Sequence, residues 1–340
     1  MKIVTTTGFY GSGSSAITDL LNEMDNICVK GDYEFRIFCD PDGVSDLEYN
    51  LIQNPNRHNS SNAIKRYKKQ AMFLNGGKII KRYNKFFGKD FLQITEKYIE
   101  DISEFDYNGR WYFDTFERGK YFWFFSRVYS KMRGTIDKIV KVKEREYTLL
   151  PNDEKCYAGT FSEEKFLAAT VNYTDALMSK FNTENKEYVM LDQLVPPTNL
   201  SRYSRYYSNI IIFVIDRDPR DIYLLEKLYW RGKVAPVYDV KTFVKWYEWI
   251  HAQHELYELP INAIRIQFED LVYKYDETLL RVFDFLNIDE SNHIKKKMFF
   301  NPEISIKNTR LWERHLEYLD EIKYIEKNLE RYCYDYNSIL

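Results

Sequence analysis

The clearest chemistry in the chain lies in a run of small residues, Gly8-Phe-Tyr-Gly-Ser-Gly-Ser-Ser15. Gly11 and Gly13 let the backbone come close to a ligand, and Ser12, Ser14 and Ser15 add hydroxyl donors. The run follows the β-branched stretch Ile3–Thr7 and precedes Ala16–Met24, whose apolar residues have helical spacing. Strand, glycine-rich turn and helix together aim backbone N–H groups at an anion, and a phosphate is the natural guest. The loop is not a Walker A motif, because Gly13 stands where the phosphate-reaching Lys would be. That argues against ordinary ATP-dependent chemistry. The plain alternative is a turn that binds nothing.

A second charged turn, Arg217-Asp-Pro-Arg-Asp221, follows the continuous apolar run Asn209–Ile215. A third cationic group, Lys307 and Arg310, lies in a C-terminal loop. Carboxylates stand at two further strand ends: Asp32 and Glu34, with Arg36, after Asn26–Lys30, and Asp192, with Gln193, after Glu187–Leu191. In an alternating α/β chain the strand ends share one edge of a parallel sheet. Phosphate sites at the first loop and near Arg217 would suit a ligand carrying phosphates at both ends of a nucleoside. The arginines interleaved with Asp216, Asp218 and Asp221 suggest an anion site rather than a magnesium site. His251 and His254 lack an evident third metal ligand and read as a helix-surface pair, so no metal is expected.

The elements that must position these groups follow from periodicity. Val240–Tyr257 reads as an amphipathic helix, Ala263–Ile266 as a strand and Tyr275–Leu286 as a helix. Thr160-Phe-Ser-Glu163 fits a capping box opening a helix to Phe181. Val140–Leu150 and Lys155–Ala158 read as a hairpin, and His293–Met298 as a basic helix. Residues 45–140 read as a helical insertion, with helices over Ala63–Leu74, Phe91–Ile102 and Trp111–Val128. Its dense aromatics suit packing between helices, a lid, or an acceptor-binding subdomain. The expected architecture is one three-layered α/β domain over residues 1–340: a P-loop-like parallel sheet of four or five strands, flanked by helices, with the 45–140 insertion on the acceptor side.

Bulk properties narrow the function. The chain has 340 residues, 44% of them hydrophobic, enough for a sizeable core. A net charge of −2 gives no global case for nucleic acid. Basic clusters near 65–69, 78–89 and 295–297 read as solvated helix faces. The 29 Tyr and 23 Phe residues fit either a compositional bias or a cleft that stacks on sugars. Cys28, Cys39, Cys156 and Cys333 form no CxxC pair, which is neither a zinc nor a disulfide pattern. No secretory leader or membrane-length apolar run is evident, so the expected compartment is a reducing cytoplasm.

With those residues in order, the sequence resembles the PAPS-dependent sulfotransferases. Gly11-Ser-Gly-Ser-Ser15 is similar to the family's 5′-phosphosulfate loop, and Ile212–Asp221 to its 3′-phosphate strand and turn. Phe243–Trp246 and Ile266–Leu271 are similar to the helix and strand that follow, and Asn308–Trp312 to the loop that closes over the 3′-phosphate. The matches cover residues 1–35 and 187–315. The resemblance implies transfer of a sulfuryl group from PAPS to a hydroxyl, leaving adenosine 3′,5′-bisphosphate, on a carbohydrate or glycolipid acceptor. Divergent bacterial members modify surface polysaccharides. It implies donor contacts from Gly11, Ser12, Gly13, Ser14, Ser15, Arg217, Lys307 and Arg310, and a catalytic base at Glu34 or, second, Asp192. Gly11 replaces the usual loop cation and Leu225 a usual 3′-site Ser; Arg36 and Lys30 are the nearest cations in sequence. A degenerate nucleotide- or glycan-binding relative and a P-loop-like kinase are the alternatives.

Overall fold

The computed structural model describes residues 1–77, 79, 81–109, 116–141 and 155–339. Five parallel strands form its main sheet in the order β2-β5-β1-β6-β7. They are β1 (Lys2–Gly8), β2 (Ile27–Glu34), β5 (Tyr188–Asp192), β6 (Ile210–Asp216) and β7 (Ala263–Gln267). A separate antiparallel ribbon pairs β3 (Ser103–Asn108) with β4 (Lys155–Gly159). The chain is therefore mixed α/β with a parallel central sheet flanked by helices, as expected.

β1 is central, and Ile3–Thr7 are fully buried, as a strand covered on both faces requires. One side of the sheet is packed by α1 (Ser15–Leu21) and the later helix Tyr275–Leu286, through Ile17, Leu20, Leu21, Val282 and Phe283. The other side carries α2 (Arg57–Asn75), α3 (Asp90–Asp101) and the helix Glu163–Phe181. Tyr67, Phe91, Tyr98, Phe166 and Tyr173 lie in its core, where the Tyr98 and Tyr173 rings stack at 4.5 Å. The 45–140 segment thus joins the main core through α2 and α3. Beyond them α4 (Gly119–Ile139) is exposed along most of its length.

Continuing the numbering, α5 is Glu163–Phe181, α6 Pro219–Leu225, α7 Val240–Glu255, α8 Tyr275–Leu286 and α9 Leu319–Asn328. Pro219 takes the first turn of α6, as the sequence predicts, and Asp218 caps it by accepting from the Arg220 amide at 2.9 Å.

Several expectations need correction. β4 pairs with Ser103–Asn108, so residues 103–108 of the insertion are strand rather than helix. Residues 142–150 of the expected hairpin, Trp111 and the Asp32 side chain lie outside the described residues. The cap of α5 is Ser162, which accepts from the Lys165 amide at 3.2 Å, two residues beyond the Thr160 that the capping box proposes. Residues 293–298 do not form a helix. The buried Glu23 carboxylate draws that segment inward instead, accepting from His293 Nε2 at 2.6 Å and from the amides of Lys297, Phe299 and Phe300 at 2.9–3.0 Å. Those amides are therefore diverted from an i→i+4 ladder. Strand β2 also runs on to Glu34, past the end at Lys30 that the sequence suggests.

Candidate functional site

A cleft of about 580 Å³ opens at the carboxyl ends of β1, β2 and β5. This is where a parallel α/β sheet presents ligands, beside the point where the strand order reverses about β1. Its floor is the turn between β1 and α1, with Gly11 through Ser15 all lining it. Gly11 and Gly13 have φ of +78° and +83°, conformations that side-chain-bearing residues rarely adopt. A Cβ on Gly13 would lie 3.0 Å from the Phe268 ring, so the loop is pressed against its neighbour as well as turned. Ser12 is buried, and its amide donates to Phe9 O at 3.0 Å, closing the turn.

The two candidate bases stand side by side. Glu34 ends β2, Asp192 ends β5, and the two residues are register partners across the sheet. Their surroundings differ. Asp192 is buried and receives a hydrogen bond from the Thr6 hydroxyl on β1. The Glu34 side chain is 55% exposed and pairs loosely, at 3.5 Å, with Arg36. Arg36 also donates through Nε to Asp40 at 2.8 Å and is the cation among the cleft's lining residues. Gln193, in the left-handed conformation with φ +57°, links the two strand ends to the loop. Its amide donates to Thr6 O at 3.0 Å and its Nε2 reaches Ser14 Oγ at 3.4 Å.

The far wall is aromatic and apolar. Trp230 and Val234 come from the segment after α6, while Trp246, Trp249, Ile250 and Gln253 come from α7. A π-type turn over Glu226–Trp230 continues α6, and Arg231 reverses the chain with φ +58°. Glu226 is buried beneath it. Burial raises its carboxyl group, against the opposing pull of the Val234, Lys233 and Gly232 amides facing it. Residues 45–140 contribute nothing to the described lining of the cleft. The sequence singled out their aromatics, yet the wall is built by Trp230, Trp246 and Trp249. The signal was present in the helical spacing of Trp246 and Trp249, but nothing local told which face of α7 would meet a ligand.

The other expected phosphate contacts take different places. Arg217 is buried behind the loop and does not line the cleft. Its Nη1 donates to Gly11 O at 3.3 Å, its Nη2 donates to Asn308 O, and its guanidinium lies 4.4 Å from the centre of the Phe268 ring. Among the described residues its buried Nε has no hydrogen-bond partner, which leaves one donor open. Arg310 pairs with Glu313, and both Arg310 and Lys307 are exposed on the C-terminal loop outside the cleft lining. That loop is fixed by backbone contacts: the amides of Arg310 and Leu311 donate to Asp221 at 3.0 and 2.8 Å. Arg217 and Asp221 therefore both fasten the loop of 308–311, so the charged turn serves as a clasp. Lys30 is likewise outside the lining, with its ammonium 4.8 Å from the Phe181 ring centre.

The histidines are buried, contrary to a surface pair. His251 stacks between Phe9, at 3.8 Å, and Tyr247, at 4.1 Å, and burial pushes its imidazole down to about 4. His254 Nδ1 lies 2.6 Å from Pro197 O, holding the Pro196–Thr198 edge of the cleft. No cluster of three metal-ligating side chains occurs among the described residues.

No protein-family model matches the chain, and no curated protein does. Two solved structures similar to it are sulfotransferases. One is the sulfotransferase domain of the curacin biosynthetic pathway, 14% identical, with 86% of this chain and 76% of that chain covered and a TM-score of 0.35. The other is a sulfotransferase from Mycobacterium tuberculosis H37Rv, 11% identical, covering 91% and 76%, with a TM-score of 0.32.

In chemical terms the cleft offers a donor-rich turn, two adjacent carboxylates in unlike surroundings, one guanidinium and an indole-lined wall. That set can hold an anionic group at the turn and accept a proton from a hydroxyl laid along the wall.

Proposed function

We propose that the protein is a sulfotransferase that moves a sulfuryl group from PAPS to a hydroxyl of a carbohydrate or glycolipid. The observation that carries this reading is the register pairing of Glu34 with Asp192 beside the Gly11–Ser15 turn in one cleft. The resemblance of Gly11–Ser15 and Ile212–Asp221 to the donor-binding motifs supplies the choice of donor.

The residues fit such a donor at the turn, where Gly11 through Ser15, rich in amide and hydroxyl donors, line the cleft. The open Nε of Arg217 lies just behind. When bound, PAPS supplies the sulfuryl group and a phosphate leaving group. The turn then orients that group and meets the charge that develops on it. Glu34 takes the proton from the acceptor hydroxyl, and its exposure leaves it open to one. Asp192, held by Thr6, fixes the end of β5 and so the place of Gln193 beside Ser14. Arg36 supplies the positive charge that Gly11 lacks. Trp230, Trp246 and Trp249 stack on the acceptor and exclude water from one side.

A second reading is favoured by one observation: the lining cation, Arg36, is already paired with both Asp40 and Glu34. On that reading the cleft binds a glycan on its indole wall without transfer. Calorimetry with adenosine 3′,5′-bisphosphate, followed by a transfer assay from PAPS to a panel of bacterial glycans, separates the two. Micromolar nucleotide binding is expected, with Glu34→Gln retaining that binding while transfer falls by roughly 10²–10⁴-fold. Glycan binding without any nucleotide binding would leave the second reading in place.

A further inference from the structure

Helix α4 is unlike the other long helices. Of its 21 residues, Ser126 is the one that is buried. Tyr121, Phe125, Val128, Met132, Ile136 and Ile139 recur at helical spacing and form a single stripe, each between 41% and 76% exposed. The described residues leave that stripe uncovered along a helix of about 30 Å.

The charge on the rest of the helix is one-sided. Lys120, Arg127, Lys131, Arg133 and Lys138 face a single acidic residue, Asp137. This contrasts with a whole chain whose net charge is −2. At 3.6 residues per turn, Lys131, Lys120, Lys138 and Arg127 gather on one flank, roughly 100–140° from the stripe's centre, while the half-buried Arg133 lies on the other side. Four cations ranged along one flank of an exposed apolar stripe suit a layer of anionic headgroups, with the long side chains reaching up to phosphate level. The helix does not cross a bilayer: no helix among the described residues is long and apolar enough to do so.

We propose that α4 lies in the interface of an anionic lipid bilayer, with Tyr121, Phe125, Val128, Met132, Ile136 and Ile139 buried at the level of the upper acyl chains. The surface is separate from the cleft, to which α4 contributes no lining residue, and the inference does not depend on the transferase reading. The attraction is part apolar and part electrostatic, so it weakens with salt.

Flotation of the full chain with vesicles tests it. Vesicles of phosphatidylcholine with about a third phosphatidylglycerol should carry the protein upward, with binding at least about tenfold weaker on phosphatidylcholine alone and reduced at high salt. Phe125→Glu combined with Met132→Glu should lower binding by about tenfold or more, as should Lys131→Glu combined with Lys138→Glu. Both pairs are exposed, so unchanged thermal melting confirms that the fold is kept. Absence of binding to the anionic vesicles at low salt would overturn the proposal. So would a dimer, seen by light scattering, that Phe125→Glu/Met132→Glu dissociates while vesicle binding stays unaffected.

Discussion

Two buried carboxylates away from the open face of the cleft show how placement alone sets behaviour. Burial pushes Glu269 up to about 8, with Asp218 beside it adding to the rise and Arg217 opposing it. Burial likewise lifts Asp221 to about 7, against the pull of Arg217. An unfolded Glu ionises near 4.5, so between about 4.5 and about 8 the native chain holds a proton that the unfolded chain has released. The native state therefore binds more protons in that window, and stability falls as pH rises through it. Glu269→Gln removes one of the two contributions while keeping an acceptor for the Asp218 amide, now at 3.1 Å. Its melting temperature should fall less between pH 5 and pH 8 than that of the unmodified chain. Parallel melting curves for the two proteins would show that this carboxylate is not the source. Glu34 reaches solvent, and the part proposed for it in transfer rests on position.

At the scale of elements, the turn between β1 and α1 depends on what surrounds it. Gly13→Ala places a methyl group at φ +83° and 3.0 Å from Phe268. The left-handed conformation alone costs about 1–2 kcal/mol, and the contact adds to it. The expected outcome is a small loss in melting temperature and at least a tenfold loss in nucleotide affinity by calorimetry. Undiminished affinity would mean that the turn does not hold the anion. The turn itself was legible in the sequence, because glycines between a β-branched run and a helical period leave few alternatives. So were β5, β6, β7, α7 and α8, whose periodicity is strong. The adjacency of Glu34 and Asp192 was only half legible: both stand at strand ends, but which strands neighbour each other is decided by packing across the whole sheet. That Arg217 stands behind the turn, outside the cleft lining, was hidden for a related reason. An arginine in a strand-end turn reads as a ligand contact, and nothing nearby reveals that Gly11 O and Asn308 O take its terminal nitrogens. The π-type turn that delivers Trp230 leaves no local mark at all.

At the scale of the molecule, Glu23, in the turn that follows α1, fastens the C-terminal third to the N-terminal part of the chain. It is fully buried and collects four donors from the segment 293–300. Glu23→Ala strips the partner from His293 Nε2 and three amides together. A loss of about 3–5 kcal/mol in denaturant unfolding is expected, and a loss under about 1 kcal/mol would show that the segment is held by its apolar contacts instead.

The clasp between Arg217 and Gly11 has a further consequence in time. These residues stand 206 positions apart, and β1 pairs along both edges with strands from the second half of the chain. During synthesis the turn emerges early but has neither walls nor clasp until β5, β6 and the 308–311 loop have been made. Such long-range pairing slows folding, because loop closure must precede any reward. The ligand capture proposed at the turn would thus report that the last third of the chain has docked. A nucleotide present during refolding should raise the yield of native protein by stabilising the completed state, without hastening the early steps.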